Sequence, residues 1–131
     1  MYFNRQPCSK YNAARIEYEG EKFDSRKELR FYLYLKDLEK EKIIKDIKRQ
    51  VKFELQEKFK CGNKTIRSIN YIADFTCVVL DVEKFKSAIG CNNEEIKENQ
   101  TVILDTKGYK TEVYKIKYKL MLYRGYKIFE I

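Results

Sequence analysis

The sequence predicts an α/β (α+β) domain in which helices flank a mixed central sheet. Three observations predict it. Val51–Leu55 and Ile69–Leu80 alternate or run apolar in the manner of strands. Two stretches, opening at Asp24-Ser25 and at Thr111, carry helical spacing behind a capping residue. The order helix, strands, helix, strand fits within 131 residues, the length of one domain.

Taken along the chain, residues 1–14 have no periodicity and predict a flexible N-terminal arm, so the folded domain is expected over 15–131. Arg15–Tyr18 and Glu21–Phe23 on either side of Glu19-Gly20 predict a hairpin. A helix follows from Ser25 to about Glu41, with Phe31, Tyr32 and Leu35 on one stripe. Ile43–Ile47 and Val51–Leu55 predict strands, Cys61-Gly62-Asn63 a turn, and Lys64–Leu80 a long strand-rich segment. Asp81–Asn99, with five acids, three lysines, Gly90 and Asn92-Asn93, predicts a polar insertion facing away from any phosphate. Thr101–Lys107 is a strand broken by Gly108, Thr111–Leu122 a capped helix, and Tyr126–Ile131 a last strand.

Composition narrows the chemistry. There is no His, which removes His-based acid–base catalysis, His-ligated zinc and the Ser-His-Asp triad. Cys8, Cys61, Cys77 and Cys91 form no C-x-x-C pair, so free thiols in a reducing cytoplasm are expected, with Cys77 buried in its strand. No apolar run approaches the roughly 20 residues of a membrane span, and no leader is evident, so no membrane partner is expected. The net charge is +8, and seven bases against two acids lie between Thr106 and Ile131, interleaved with five tyrosines. Such a balance suits a phosphate backbone, although a Lys-rich surface with no nucleic-acid partner has the same composition. Arg supplies only 7 of the 28 bases, which favours backbone contact over base readout.

Three acids and a lysine stand out. Alternation places Asp105 and Lys107 on one face at a strand end, a pair able to hold a cation and a water or simply to form a surface ion pair. Asp74 interrupts an apolar strand, where a carboxylate is costly unless it is paired or binds a metal; a bulge or an edge position in solvent is the other reading. Hard Mg²⁺ prefers such oxygen ligands. Glu28 heads the buried stripe of the first helix, but Ser25-Arg26-Lys27-Glu28 also spells a capping box. Lys115 and Lys119, one helical turn apart, could hold phosphate or face solvent.

Together, Phe23-Asp24-Ser25-Arg26-Lys27-Glu28, Tyr71-Ile72-Ala73-Asp74-Phe75 and Leu104-Asp105-Thr106-Lys107-Gly108 resemble the PD-(D/E)XK nuclease signature. With Gln50-Val51-Lys52-Phe53-Glu54-Leu55 between the first two, the order is similar to a phage-encoded family known only as a domain of unknown function. It is also similar to phage endonuclease-I type junction resolvases. The resemblance spans about Tyr18 to Ile131. It departs in Ala73 for the usual Pro, in Asp105 for the commoner Glu, and in the length of 81–99. It implies a restriction-endonuclease-like fold and a phage or prophage DNA endonuclease, resolvase-like on branched DNA, in the host cytoplasm. Mg²⁺, with Mn²⁺ as a substitute and no small-molecule cofactor, would be held by Asp74, Asp105, the Thr106 carbonyl and Glu28. Lys107 would orient or help deprotonate the attacking water, and Lys110, Lys115 and Lys119 would contact DNA. A homodimer follows by analogy with junction cutters. The alternative is a catalytically silent DNA-binding module of the same fold, serving phage replication or recombination.

Overall fold

The computed structural model describes residues 15–131; the arm expected over 1–14, and Cys8 within it, lie outside the described residues. The hairpin at the start is β1 (Ile16–Tyr18) and β2 (Glu21–Phe23), antiparallel. Ser25 then caps α1 (Arg26–Lys40) by accepting the Glu28 N–H at 3.1 Å on Oγ. Glu28, Phe31, Leu35 and Leu38 fall on the buried side of α1, as a helical stripe requires.

The two strand segments expected between Ile43 and Leu55 are one strand, β3 (Ile44–Gln56). Its alternation is hard to follow because Asp46 and Gln50 take left-handed backbone (φ 55° and 52°) and the register shifts between Lys45 and Lys48. A small ribbon follows, β4 (Phe59–Cys61) and β5 (Lys64–Ile66), turning at Gly62 with φ 64°. The long β6 (Ile69–Val79) pairs antiparallel with β3 on one side and with β7 (Thr101–Asp105) on the other. Beyond β7 lies β8 (Ile128–Glu130), parallel to it, and α3 (Glu112–Tyr123) makes the crossover that a parallel pair needs. The main sheet therefore reads β3-β6-β7-β8 and is mixed.

Helices cover both faces of this sheet. On one face Phe31, Leu35 and Leu38 of α1 meet Phe75, Cys77 and Val79 of β6 and Val102 and Leu104 of β7. On the other, Met121 of α3 meets Tyr71, Ala73, Ile103 and Ile128. Tyr71 and Ala73 share a parity with Phe75 and Cys77, yet they belong to different clusters. The change comes at Asp74, so the one acid in mid-strand stands where the strand passes from one core to the other.

The segment 81–99 corrects an expectation. It contains α2 (Val82–Ile89), capped by Asp81, whose Oδ1 accepts the Lys84 N–H, and closed by Gly90 at φ 84°. Phe85 is fully buried and sits edge-on to Phe129 at 6.3 Å, and Ile96 is buried beside it. This stretch completes a core wall. No helix among the described residues is long and apolar enough to cross a membrane.

Candidate active site

The ends of β6 and β7 bring Asp74 and Asp105 side by side. Phe75 pairs with Leu104 in the ladder, so the two acids are the next positions out along the antiparallel pair. Asp105 is fully buried and Asp74 nearly so. Each carboxylate is held by donors, as buried charges must be. The Asp74 N–H donates to Asp105 Oδ1 at 2.9 Å, and the Tyr71 hydroxyl donates to Asp105 Oδ2. The Thr106 N–H and hydroxyl both donate to Asp74 Oδ2, at 2.9 and 3.0 Å.

Asp74 Oδ1, and Asp105 Oδ1 beyond its bond to the Asp74 N–H, turn toward a common point, which the Lys107 ammonium occupies. Its Nζ lies 3.2 Å from Asp74 Oδ1 and 3.6 Å from Asp105 Oδ1. Thr106 and Lys107 follow the end of β7 instead of continuing it, so Lys107 reaches the acids from a bend and not from a strand face. Burial opposes the Lys107 charge, but the carboxylates of Asp74 and Asp105 outweigh it and raise the ammonium's pKa above its ordinary value. The two acids thus favour the charged form of Lys107, which is suited to orient a water and to offset negative charge. Burial raises the pKa of Asp105, with Lys107 pulling it back.

Glu28 has the capping contact and the burial expected of its position. Its Oε1 accepts the Asp24 N–H at 3.3 Å, so it does close the helix start. It is also 3% exposed, and burial, then the charge of Asp74, raise its pKa. Gln50 donates to its Oε2 at 3.1 Å and Arg49 at 3.3 Å. Gln50 can do so because of its left-handed backbone on β3. Arg49 also binds Glu21 at 2.9 Å and the Lys22 carbonyl at 2.8 Å, with its guanidinium 3.8 Å above the Phe23 ring. Neither partner of Glu28 is visible as a site residue in the sequence, because the contacts join positions more than 20 apart.

Asp74, Asp105, Thr106 and Lys107 are therefore together, with Glu28 behind them. Among the described residues no three acids or thiols stand close enough to form a finished metal cage. The donor chemistry still fits a hard divalent cation: two carboxylate oxygens already converge on one positive charge at the Lys107 position. Thr106 contributes its N–H and hydroxyl to Asp74, the contacts that fix the carboxylate in place.

A cleft of about 240 Å³ opens beside this centre, lined by Asn70, Tyr71, Ile72, Lys107, Tyr114 and Lys117 among others. Lys117 is the lysine of α3 that lines the cleft, and helical spacing did not single it out. Lys115 and Lys119 are exposed and outside the cleft lining, Lys115 bonding Glu112 at 3.2 Å, and Lys110 pairs with Glu130 at 3.1 Å. Tyr114 closes the inner wall, its hydroxyl 2.9 Å from Glu130 and 3.5 Å from Asp105. Burial and the Glu130 bond push its pKa up, so it stays a phenol.

Residues 8–130 match the model of a family described as a protein of unknown function, DUF1064. The chain belongs to that family. No curated protein and no solved structure matches it. The DUF1064 match spans all the elements above, and the acids, Lys107 and the cleft lie within it.

Proposed function

We propose that this DUF1064 protein is a Mg²⁺-dependent DNA endonuclease of the PD-(D/E)XK kind, acting on phage or prophage DNA in a bacterial cytoplasm. One observation carries the reading: Asp74 Oδ1 and Asp105 Oδ1 converge on the Lys107 ammonium at the edge of a basic cleft. A purely structural sheet end has no reason to bury two carboxylates together, since each costs several kcal/mol to desolvate.

Asp74 and Asp105 would hold the cation, and Glu28 would complete the shell through water. Mg²⁺ would supply Lewis-acid stabilisation of charge on the phosphate and acidify an attacking water. The chain's residues do the rest. Tyr71, Thr106 and the Asp74 N–H lock both carboxylates before substrate arrives, which is the preorganisation that makes electrostatic catalysis effective. Lys107 orients the water and offsets charge as the phosphorus becomes pentacoordinate. Lys117, on the cleft wall, holds a flanking phosphate.

The convergence on Lys107 also favours one other reading. An ammonium already neutralises the two acids, so a module that binds DNA without cutting it is consistent with the same contacts. Incubation with supercoiled plasmid and a synthetic four-way junction, with Mg²⁺, Mn²⁺ or EDTA, separates the two. Metal-dependent cutting, abolished in Asp74→Ala and Asp105→Ala while DNA affinity persists, is the expected result. DNA binding with no cutting in any metal would leave the binding module.

A further inference from the structure

The ribbon β4–β5 has no role in the site described above. Glu57 to Arg67 carries Lys58, Lys60, Lys64 and Arg67 against the single acid Glu57. All four cations are exposed, and among the described residues none forms an ion pair. In its ladder Phe59 opposes Ile66 and Lys60 opposes Thr65. Alternation therefore puts Phe59, Ile66 and Lys64 on one face and Lys60 and Thr65 on the other. Phe59 is 46% exposed. The ribbon belongs to no larger sheet, and a lone two-stranded hairpin is marginal in water. Its charge and its exposed Phe59 both call for a partner.

Its attachment says where that partner lies. The ribbon joins the ends of β3 and β6, the strands that floor the cleft: Asn70 and Ile72 line the cleft and pair with Glu54 and Lys52. From Asp74 back to Ile66 is eight residues of chain, at most about 26 Å. That span covers roughly 8 base pairs of duplex at about 3.4 Å each. A major groove about 12 Å wide admits a two-stranded ribbon.

We propose that β4–β5 is a wing that enters a groove of double-stranded DNA within one turn of the scissile phosphate, which makes duplex the substrate class. The inference rests on the nuclease reading for the position of the cut, and on charge and shape for the wing itself. Single-stranded DNA offers the same phosphates but no groove, so the wing discriminates between the two.

The test uses the full chain in EDTA with a fluorescein-labelled 30-bp duplex and a 30-nt strand free of self-pairing, read by anisotropy across salt concentrations. A variant with Lys58→Ser, Lys60→Ser, Lys64→Ser and Arg67→Ser should lose 10-fold or more on duplex and less than 3-fold on single strand. Its log–log salt slope on duplex should be shallower by about 3 to 4, the counterions of four phosphates. Lys60→Glu alone should give part of the effect, and replacing the three lysines by Arg should restore binding. Equal losses on both DNAs, or unchanged duplex affinity, would overturn the wing. Wing-dependent duplex binding by a chain that never cuts would uphold the wing while sinking the nuclease reading. Cutting by the wild-type chain with wing-independent binding would do the reverse.

Discussion

Arg49→Met should be among the most damaging single changes outside the hydrophobic core, and the damage should be repaired in part by Glu28→Gln. Arg49 ties three elements together. It bonds Glu21 and the Lys22 carbonyl of the hairpin, pairs with Glu28 of α1, and covers Phe23 from its own strand β3. The Glu21 pair is half exposed, with Glu21 at 47%, and counts for about 0–1 kcal/mol. The bond from a charged donor to the Lys22 carbonyl is worth about 1.5 kcal/mol or more. Stranding Glu28, which is 3% exposed, is the largest loss, because a buried charge deprived of its partner costs about 3–5 kcal/mol. Gln50 and the Asp24 N–H still reach Glu28, which lowers that figure, and Met keeps the packing on Phe23. About 4 kcal/mol is the expected total.

Urea unfolding at neutral pH measures it, as a full double-mutant cycle. Glu28→Gln keeps the shape and one oxygen for the Asp24 N–H, and its amide N–H can donate to the Gln50 side-chain oxygen once that amide flips, so alone it should cost about 1–2 kcal/mol. In the Arg49→Met background it should regain about 2 kcal/mol, since no charge is then stranded. The pH dependence has a definite sign. Burial and Asp74 raise the folded pKa of Glu28, so the folded state binds its proton more readily than the unfolded state does. The stability change attributable to Glu28 is therefore unfavourable once pH rises above the folded pKa and vanishes as pH falls to the ordinary carboxylate range. Without Arg49 that pKa climbs further, so the penalty of Arg49→Met should shrink between pH 7.5 and pH 4.5. An additive cycle, within about 0.5 kcal/mol, or a penalty that grows on acidification would refute the argument.

Two more outcomes follow from burial. Phe85→Ala should cost about 3–5 kcal/mol by urea titration, because Phe85 is a fully buried wall against Phe129; a cost below 1 kcal/mol would return 81–99 to the status of a surface insertion. Burial pushes the Cys77 thiol up to about 12, so at pH 8 iodoacetamide should modify the exposed Cys61 readily and Cys77 only after unfolding, as a peptide map would show; equal labelling of both would mean that β6 opens locally.

The hairpin, α1, the turn at Gly62 and α3 were legible because each is announced by adjacent residues: Ser25 with Glu28, Gly62-Asn63 between strands, Thr111 before a spaced helix. The helix α2 was missed although its signals were present. Asp81 and Gly90 bracket Val82, Phe85 and Ile89 at helical spacing, but eight residues with three apolar positions are outweighed by five acids in the surrounding stretch. The unity of β3 was hidden for a different reason. Alternation was read as the strand signal, and left-handed residues at Asp46 and Gln50 break it locally while the hydrogen-bonded ladder continues.

The site shows the same division between local and distant information. Asp105, Thr106 and Lys107 are neighbours in sequence, and a short motif captures their chemistry. What the motif leaves out is how the charges are tolerated. Tyr71 and Tyr114 reach Asp105 from β6 and α3, and Arg49 and Gln50 reach Glu28 from β3. These groups decide which carboxylate oxygens remain free, and that choice is what turns a pair of acids into a converging pair. It also explains why Lys117 enters the cleft while Lys115 and Lys119 do not. Spacing of four aligns two lysines on one helical face but cannot say which face meets the sheet; Tyr118 and Met121, packed on Ile103 and Ile128, set that rotation and carry Lys117 round toward Lys107. The core contacts of Tyr118 and Met121 thus decide where Lys117 stands, and on the proposed function substitutions there should alter DNA affinity, read by anisotropy, before they alter the acids.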